Sequence, residues 1–231
     1  MSAKTLPSEN STLGEWVFER ILDMIYNGEL PPGSALNEVT LAARFEVSRG
    51  PIREAVRRLQ GVQLVTREPF AKARVVKLST RAIADLYEMR EALEGYACRL
   101  ATERMSDQEI AELIAALEAA RQDYIRDGQQ QPLSQFDFHF SIIRGSANER
   151  LFSTLYGDLY HLLRMMRRIK GHVPQRKHNA YKEHWQIVRA IKARDADLAE
   201  SLMRAHIRSA ATHTVTDEPT ESQTLLKITP K

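Results

Sequence analysis

The chain of 231 residues contains one cysteine, Cys98, which excludes an intrachain disulfide. A lone thiol in an apolar helical stretch suits a reducing cytoplasm and a buried packing role rather than redox sensing. No apolar run approaches the roughly 18 residues that cross a bilayer. The opening residues are polar, unlike a signal peptide, so the expected location is the cytoplasm, away from any membrane. Internal repeats and low-complexity domains are missing too. Net charge is small, +3, and by itself gives no argument for a nucleic-acid partner. Its distribution does. Residues 44–77 hold nine Lys/Arg against three Glu, whereas from residue 78 onward the balance is 22 against 21. Positive charge is concentrated in one short region, as phosphate neutralisation requires.

That region carries the densest pattern. From Pro32 to Leu64 the sequence predicts two short helices around a tight turn. Leu41, Ala42 and Phe45 give the first an apolar side, Val47 ends the turn, and Ser48 is placed to cap the second. In the second, Ile52, Val56 and Leu59 recur at helical spacing while Arg49, Arg53 and Arg57 lie four apart on another stripe. A solvated basic face is the alternative reading; the turn before it favours a helix built to enter a DNA major groove.

The run PPGSALNEVTLAARFEVSRGPIREAVRRLQ resembles the winged helix-turn-helix of the GntR family of bacterial transcription regulators. The matching elements are the PG step, Leu41–Ala42 and VSRGPIREAVRRL. The resemblance implies that Ser48, Arg49, Gly50 and Arg53 read base edges and that Arg44 and Arg57 lie nearer phosphates, with Lys72 on the wing. Pro51 fits independently, since a first-turn proline breaks no helical hydrogen bond. Two departures stand out. Gln63 occupies the place of the usual glycine after the recognition helix, and the wing tip, Arg67 to Arg74, has no glycine either. Strand pieces Leu64–Arg67 and Arg74–Lys77 are expected, but a tip without glycine is not expected to reach positive φ.

Domain boundaries follow from periodicity: a flexible 1–12, a winged helix-turn-helix over 13–78, a helical domain over 79–214 and a flexible tail at 215–231. A first helix spans Leu13–Asn27, with Val17, Ile21, Leu22 and Ile25 inward and Gly28 ending it. After residue 79 the predicted helices close near Met105, then run from the capping box Ser106–Glu109 to Gly128, and over Leu133–Gly145, Asn148–Gly171, Gln175–Arg194 and Asp195–Thr214. The fold class is mostly α, with a small β-hairpin and a C-terminal antiparallel bundle of six or seven helices.

FHFSIIRGSANERL, EHWQIVRAIKARDADLAESLMRAH and RLATERM resemble the ligand-sensing domain, the FCD domain, of the FadR-type branch of the same family. Many members hold a divalent metal there, over which small carboxylates bind. The resemblance implies His139, His184 and His206 as metal ligands. Imidazoles suit zinc or nickel and leave positions open for water or an acid. The branch normally has Asp or Asn four residues before the first histidine; here it is Gln135, a weaker ligand, and Asp137 sits on another helical face. Arg99 is the candidate anchor for the effector's carboxylate, with a structural salt bridge to Glu94, Glu103 or another helix as its alternative. His161, His172, His178 and His213 read as surface or packing residues, and the basic run Arg164–Lys170 as a solvated or interdomain face.

The expected protein is therefore a homodimeric regulator, not an enzyme. It binds a palindromic double-stranded DNA operator, represses, and responds to a small organic acid. The rival readings are a hydrolase in which a three-histidine metal activates water, and a DNA-binding protein without an effector.

Overall fold

The computed structural model describes residues 12–126, 137–169 and 174–215. The expected N-terminal segment and tail, part of the helix expected over 133–145, Gln135 and His172 lie outside the described residues. The chain divides into two compact units, one of residues 1–78 with Phe152–His172, the other of 79–151 with 173–231.

In the first unit, α1 (Leu13–Tyr26) is capped by the Thr12 hydroxyl, which accepts from Glu15 N, and ends before Gly28 at φ 79°. Its predicted inward residues Val17, Ile21, Leu22 and Ile25 are buried. The helix-turn-helix pairs α2 (Glu38–Phe45) with α3 (Arg49–Gly61). Asn37 caps α2 by accepting from Val39 N and Thr40 N, and Glu46 ends it in the left-handed region. Ile52, Ala55, Val56 and Leu59 turn the apolar stripe of α3 against α1. Two short antiparallel strands follow, β1 (Val65–Thr66) and β2 (Arg74–Val75). The segment before α2 borders β2 on its other side: Gly33 N donates to Val75 O, Val75 N to Ser34 O and Leu36 N to Ala73 O.

Against expectation, the hairpin reaches positive φ without glycine, at Gln63 (58°) and Phe70 (62°). Left-handed backbone strains a side-chain-bearing residue but is held here by hydrogen bonds on either side. Gln63 N donates to Gln60 O and Leu64 N to Leu59 O, while Ala71 N donates to Glu68 O.

The helix expected over 148–171 is broken. The structure has α7 (Glu149–Ser153), a π-helical turn (Thr154–Asp158) and α8 (Tyr160–Ile169). Leu151, Leu155, Leu159, Leu162 and Met166 keep three- and four-residue spacing straight through the turn, so the pattern did not betray it. α8 packs on α1 in the first unit. The Tyr26 hydroxyl lies 2.7 Å from His161 Nδ1, His161 meets Phe18 edge-on, and the Arg164 guanidinium lies 4.4 Å from the centre of the Tyr26 ring.

In the second unit, α4 (Thr80–Arg104) packs chiefly on α10 (Ala196–Val215), and also on α6 (Phe138–Gly145) and α9 (Pro174–Lys192). α5 (Asp107–Arg126) opens with the predicted capping box: Ser106 N donates to the Glu109 carboxylate and Glu109 N to the Ser106 hydroxyl. Arg194, in the turn between α9 and α10, donates to the carbonyls of Thr102 and Met105 and pairs with Asp107. Cys98 is fully buried, and burial pushes its thiol well above the ordinary range. Among the described residues no helix is long and apolar enough to cross a membrane.

Candidate functional site

In the first unit, α3 buries one stripe and exposes the other. Ser48, Arg49, Gly50, Arg53 and Arg57 are all exposed, as is Lys72 on the hairpin. Ser48 has the extended backbone of an N-cap, yet its side chain makes no capping bond. Two candidate cations are already engaged. Arg44 pairs with Glu29 rather than standing clear, and Arg53 Nε lies 3.5 Å from Glu38. Glu38 also pairs with Arg67 at the end of β1, so one carboxylate ties the start of α2 to α3 and to the hairpin. The hydrogen bond from Arg67, and secondarily Arg53, holds Glu38 below the usual carboxylate range despite its partial burial. These groups line an open recess of about 320 Å³ with Val56 and Arg57.

In the second unit, His139 on α6, His184 on α9 and His206 on α10 converge, with one ring nitrogen of each inside a sphere of contacts no wider than 4.8 Å. The Nε2 atoms of His184 and His139 each lie 3.3 Å from that of His206. Phe138 stacks on His184 with ring centres 4.0 Å apart, which fixes that imidazole's plane. Behind them stand two carboxylates that the sequence reading did not assign to the site. His139 Nδ1 lies 2.6 Å from Glu94, and His206 Nδ1 lies 2.5 Å from Glu183.

An ionised carboxylate accepts and does not donate, so the proton of each of these imidazoles sits on Nδ1. Their Nε2 lone pairs then point at one another across 3.3 Å. That arrangement calls for a cation or a shared proton between them. Carboxylate behind imidazole is also what orients a metal-binding histidine and raises its basicity. Donor type, convergence and backing thus all fit a divalent ion. Glu94 is itself buried, next to the buried Arg90, whose Nε donates to it at 2.6 Å. Burial would raise the Glu94 pKa, but the charge of Arg90 and the hydrogen bond from His139 outweigh it and hold the carboxyl well below the usual range.

The other assignments fare differently. Arg99 is engaged by Glu103 on its own helix and by Asp197 and Glu200 on α10, within the foreseen salt bridge to Glu103 or another helix, and not by Glu94. Geometry explains this, because Arg99 and Glu94 are five residues apart on α4 and face different sides. Glu94, the other foreseen partner, goes to Arg90 and His139 instead. Asp137 is not a helical residue but the N-cap of α6, accepting from Phe140 N. A signal for Arg90 and Glu94 did exist: both fall on the inward stripe of α4, where a charge without a partner would be costly. Glu183 had no such mark.

Two family descriptions match the chain: "Bacterial regulatory proteins, gntR family" over residues 13–75 and "FCD domain" over residues 85–209. The Nta operon transcriptional regulator of Aminobacter aminovorans is 36% identical over 77% of this chain and 82% of its own. The HTH-type transcriptional regulator LutR of Bacillus subtilis is 30% identical, over 80% of this chain and 93% of its own. Among solved structures, a putative GntR transcriptional regulator from Rhodococcus sp. RHA1 superposes with a TM-score of 0.73 at 20% identity, covering 90% of this chain and all of that one.

Proposed function

The chain belongs to the GntR family of bacterial transcription regulators, with an FCD domain after its helix-turn-helix, and from that premise we propose a metal-assisted sensor of a small organic acid that represses as a homodimer. Residues 13–78 read the operator and residues 79–214 sense the acid. An enzymatic reading has no support, since the matched family and the named relatives are regulators.

Two protomers place two α3 helices in successive major grooves of a palindrome. Ser48, Arg49, Gly50 and Arg53 face the bases, while Arg57, Lys72 and Arg44 neutralise phosphates. The outer face of α4 supports pairing, because Met89 and Tyr96 lie exposed there at heptad spacing, with Ala92 between them.

The observation that carries the sensing half is the convergence of three histidines on one point. His139, His184 and His206 would hold zinc or nickel, and the ion would supply an electropositive seat for a carboxylate. Arg99, partly exposed and held by acids that an incoming carboxylate can replace, is the proposed anchor of the acid. Effector binding need change operator affinity by only about 1–3 kcal/mol to switch occupancy.

Metal content per chain tests this, in protein purified without added metal or an affinity tag, with His184→Ala alongside. Near one equivalent in the native protein and none in the variant is the expected result. No metal in either would overturn the metal centre.

A further inference from the structure

We infer that Phe70 is a wedge that the hairpin inserts from the minor groove between base pairs of the operator, an inference that rests on the DNA-reading assignment above. Phe70 is the most exposed large apolar side chain among the described residues, at 110% of its reference area. It also occupies position i+2 of the turn Glu68–Ala71, with Pro69 at i+1 and φ of 62°. That is the place glycine takes in a type II turn. The chain thus keeps a large aromatic where both solvation and backbone oppose it; the turn's hydrogen bond holds the backbone, but nothing among the described residues covers the ring.

Something outside the chain must take the ring, and the surroundings indicate what. With Arg67 paired to Glu38, Lys72 and Arg74 flank the tip against Glu68, a net positive balance that suits a polyanion. Phe70 stands alone there, with no second exposed aromatic to build a lipid- or protein-binding cluster. β1 leads directly from α3, so a reading helix in the major groove brings the tip to the adjacent backbone and minor groove. That groove is about 6 Å wide, which admits a narrow turn and not a helix. Apolar side chains inserted there partly unstack one base step and kink the duplex. Pro69 fixes φ before the wedge, so the ring is held in place before contact.

The wedge adds a readout that α3 does not supply. Pyrimidine–purine steps unstack most easily, so TA or CA steps are favoured under the tip although no side chain there reads a base edge.

The test uses the full-length protein and the duplex it selects from a random-sequence library, with 2-aminopurine replacing single adenines along the site and binding followed by anisotropy. A fluorescence rise is expected at one step in each half-site. Phe70→Ala should abolish the rise and weaken binding roughly tenfold, and Phe70→Leu should retain part of both. Phe70→Gly should lose the rise while gaining thermal stability, which separates the wedge from any structural role. Tight binding with no rise, or a rise that survives Phe70→Ala, would overturn the wedge and leave operator reading intact. Unaltered DNA binding in every Phe70 variant would assign the ring to a protein partner and overturn it equally. Failure to select any duplex would remove the DNA-reading assignment and the wedge with it.

Discussion

Gln63 illustrates how much a single residue can hide. Its φ of 58° is one that glycine adopts without strain, and the bonds on either side of it keep it there. Gln63→Gly should therefore stabilise the folded chain by up to about 1 kcal/mol, read as a higher urea midpoint with unchanged slope. Some of that gain is returned through the greater freedom of glycine in the unfolded chain. Arg53→Ala should weaken specific operator binding by roughly 1–3 kcal/mol and random DNA far less. Equal losses on both would place Arg53 on a phosphate. At this scale, sequence legibility was uneven. The apolar stripes of α1 and α3 were readable because burial repeats at helical spacing. Backbone sign at Gln63 and Phe70 was not, because neighbouring hydrogen bonds impose it and no residue type announces it. The salt bridge of Arg99 to Glu103 or another helix was readable, but not which acids of α10 it would meet, since several lie within reach of a long side chain.

Elements differ in what their ends are for. Asn37 and Ser48 both occupy N-cap positions, but only the Asn37 side chain bonds to its own helix. Asn37→Ala should cost about 1 kcal/mol of stability, whereas Ser48→Ala should leave thermal stability nearly unchanged and weaken operator binding. The shared carboxylate of Glu38 ties α2, α3 and β1 together, and its strength depends on pH. Its pKa is depressed from the ordinary 4.5 in the folded chain, first by the hydrogen bond from Arg67. The unfolded chain thus takes up the proton more readily. The tie contributes fully above about pH 5 and is lost as the pH falls through the depressed value. Glu38→Gln should cost about 1 kcal/mol at pH 7 and show a shallower loss of stability below about pH 5. A parallel decline in both proteins would mean that Glu38 titrates normally. Helix ends were largely legible where a cap announced them, as at Ser106. The break between α7 and α8 was not, for Leu151, Leu155, Leu159 and Leu162 keep helical spacing across it.

For the whole molecule, the histidine cluster joins α6 to the consecutive helices α9 and α10. A ligand that binds only the folded arrangement stabilises it, by about 2.7 kcal/mol at a hundredfold excess over its dissociation constant. Added zinc or nickel should raise the melting temperature of metal-stripped protein, and His206→Ala should abolish the rise. The positions of the histidines were legible only through family resemblance. The two carboxylates behind them emerged from packing, because spacing along the chain cannot show which acid lies behind which ring.

The contact of Tyr26 with His161 spans 135 positions of sequence. The first unit is therefore not a contiguous piece of chain, and its order of manufacture matters. At roughly 5–20 residues per second, a ribosome that has just made α1 needs about 7–29 s more to deliver α8. During that interval the α8-facing side of α1, with Phe18 and Tyr26, lacks its cover. The nascent helix-turn-helix thus keeps an apolar flank open until the downstream segment arrives, and a chain truncated after residue 78 would carry that flank permanently.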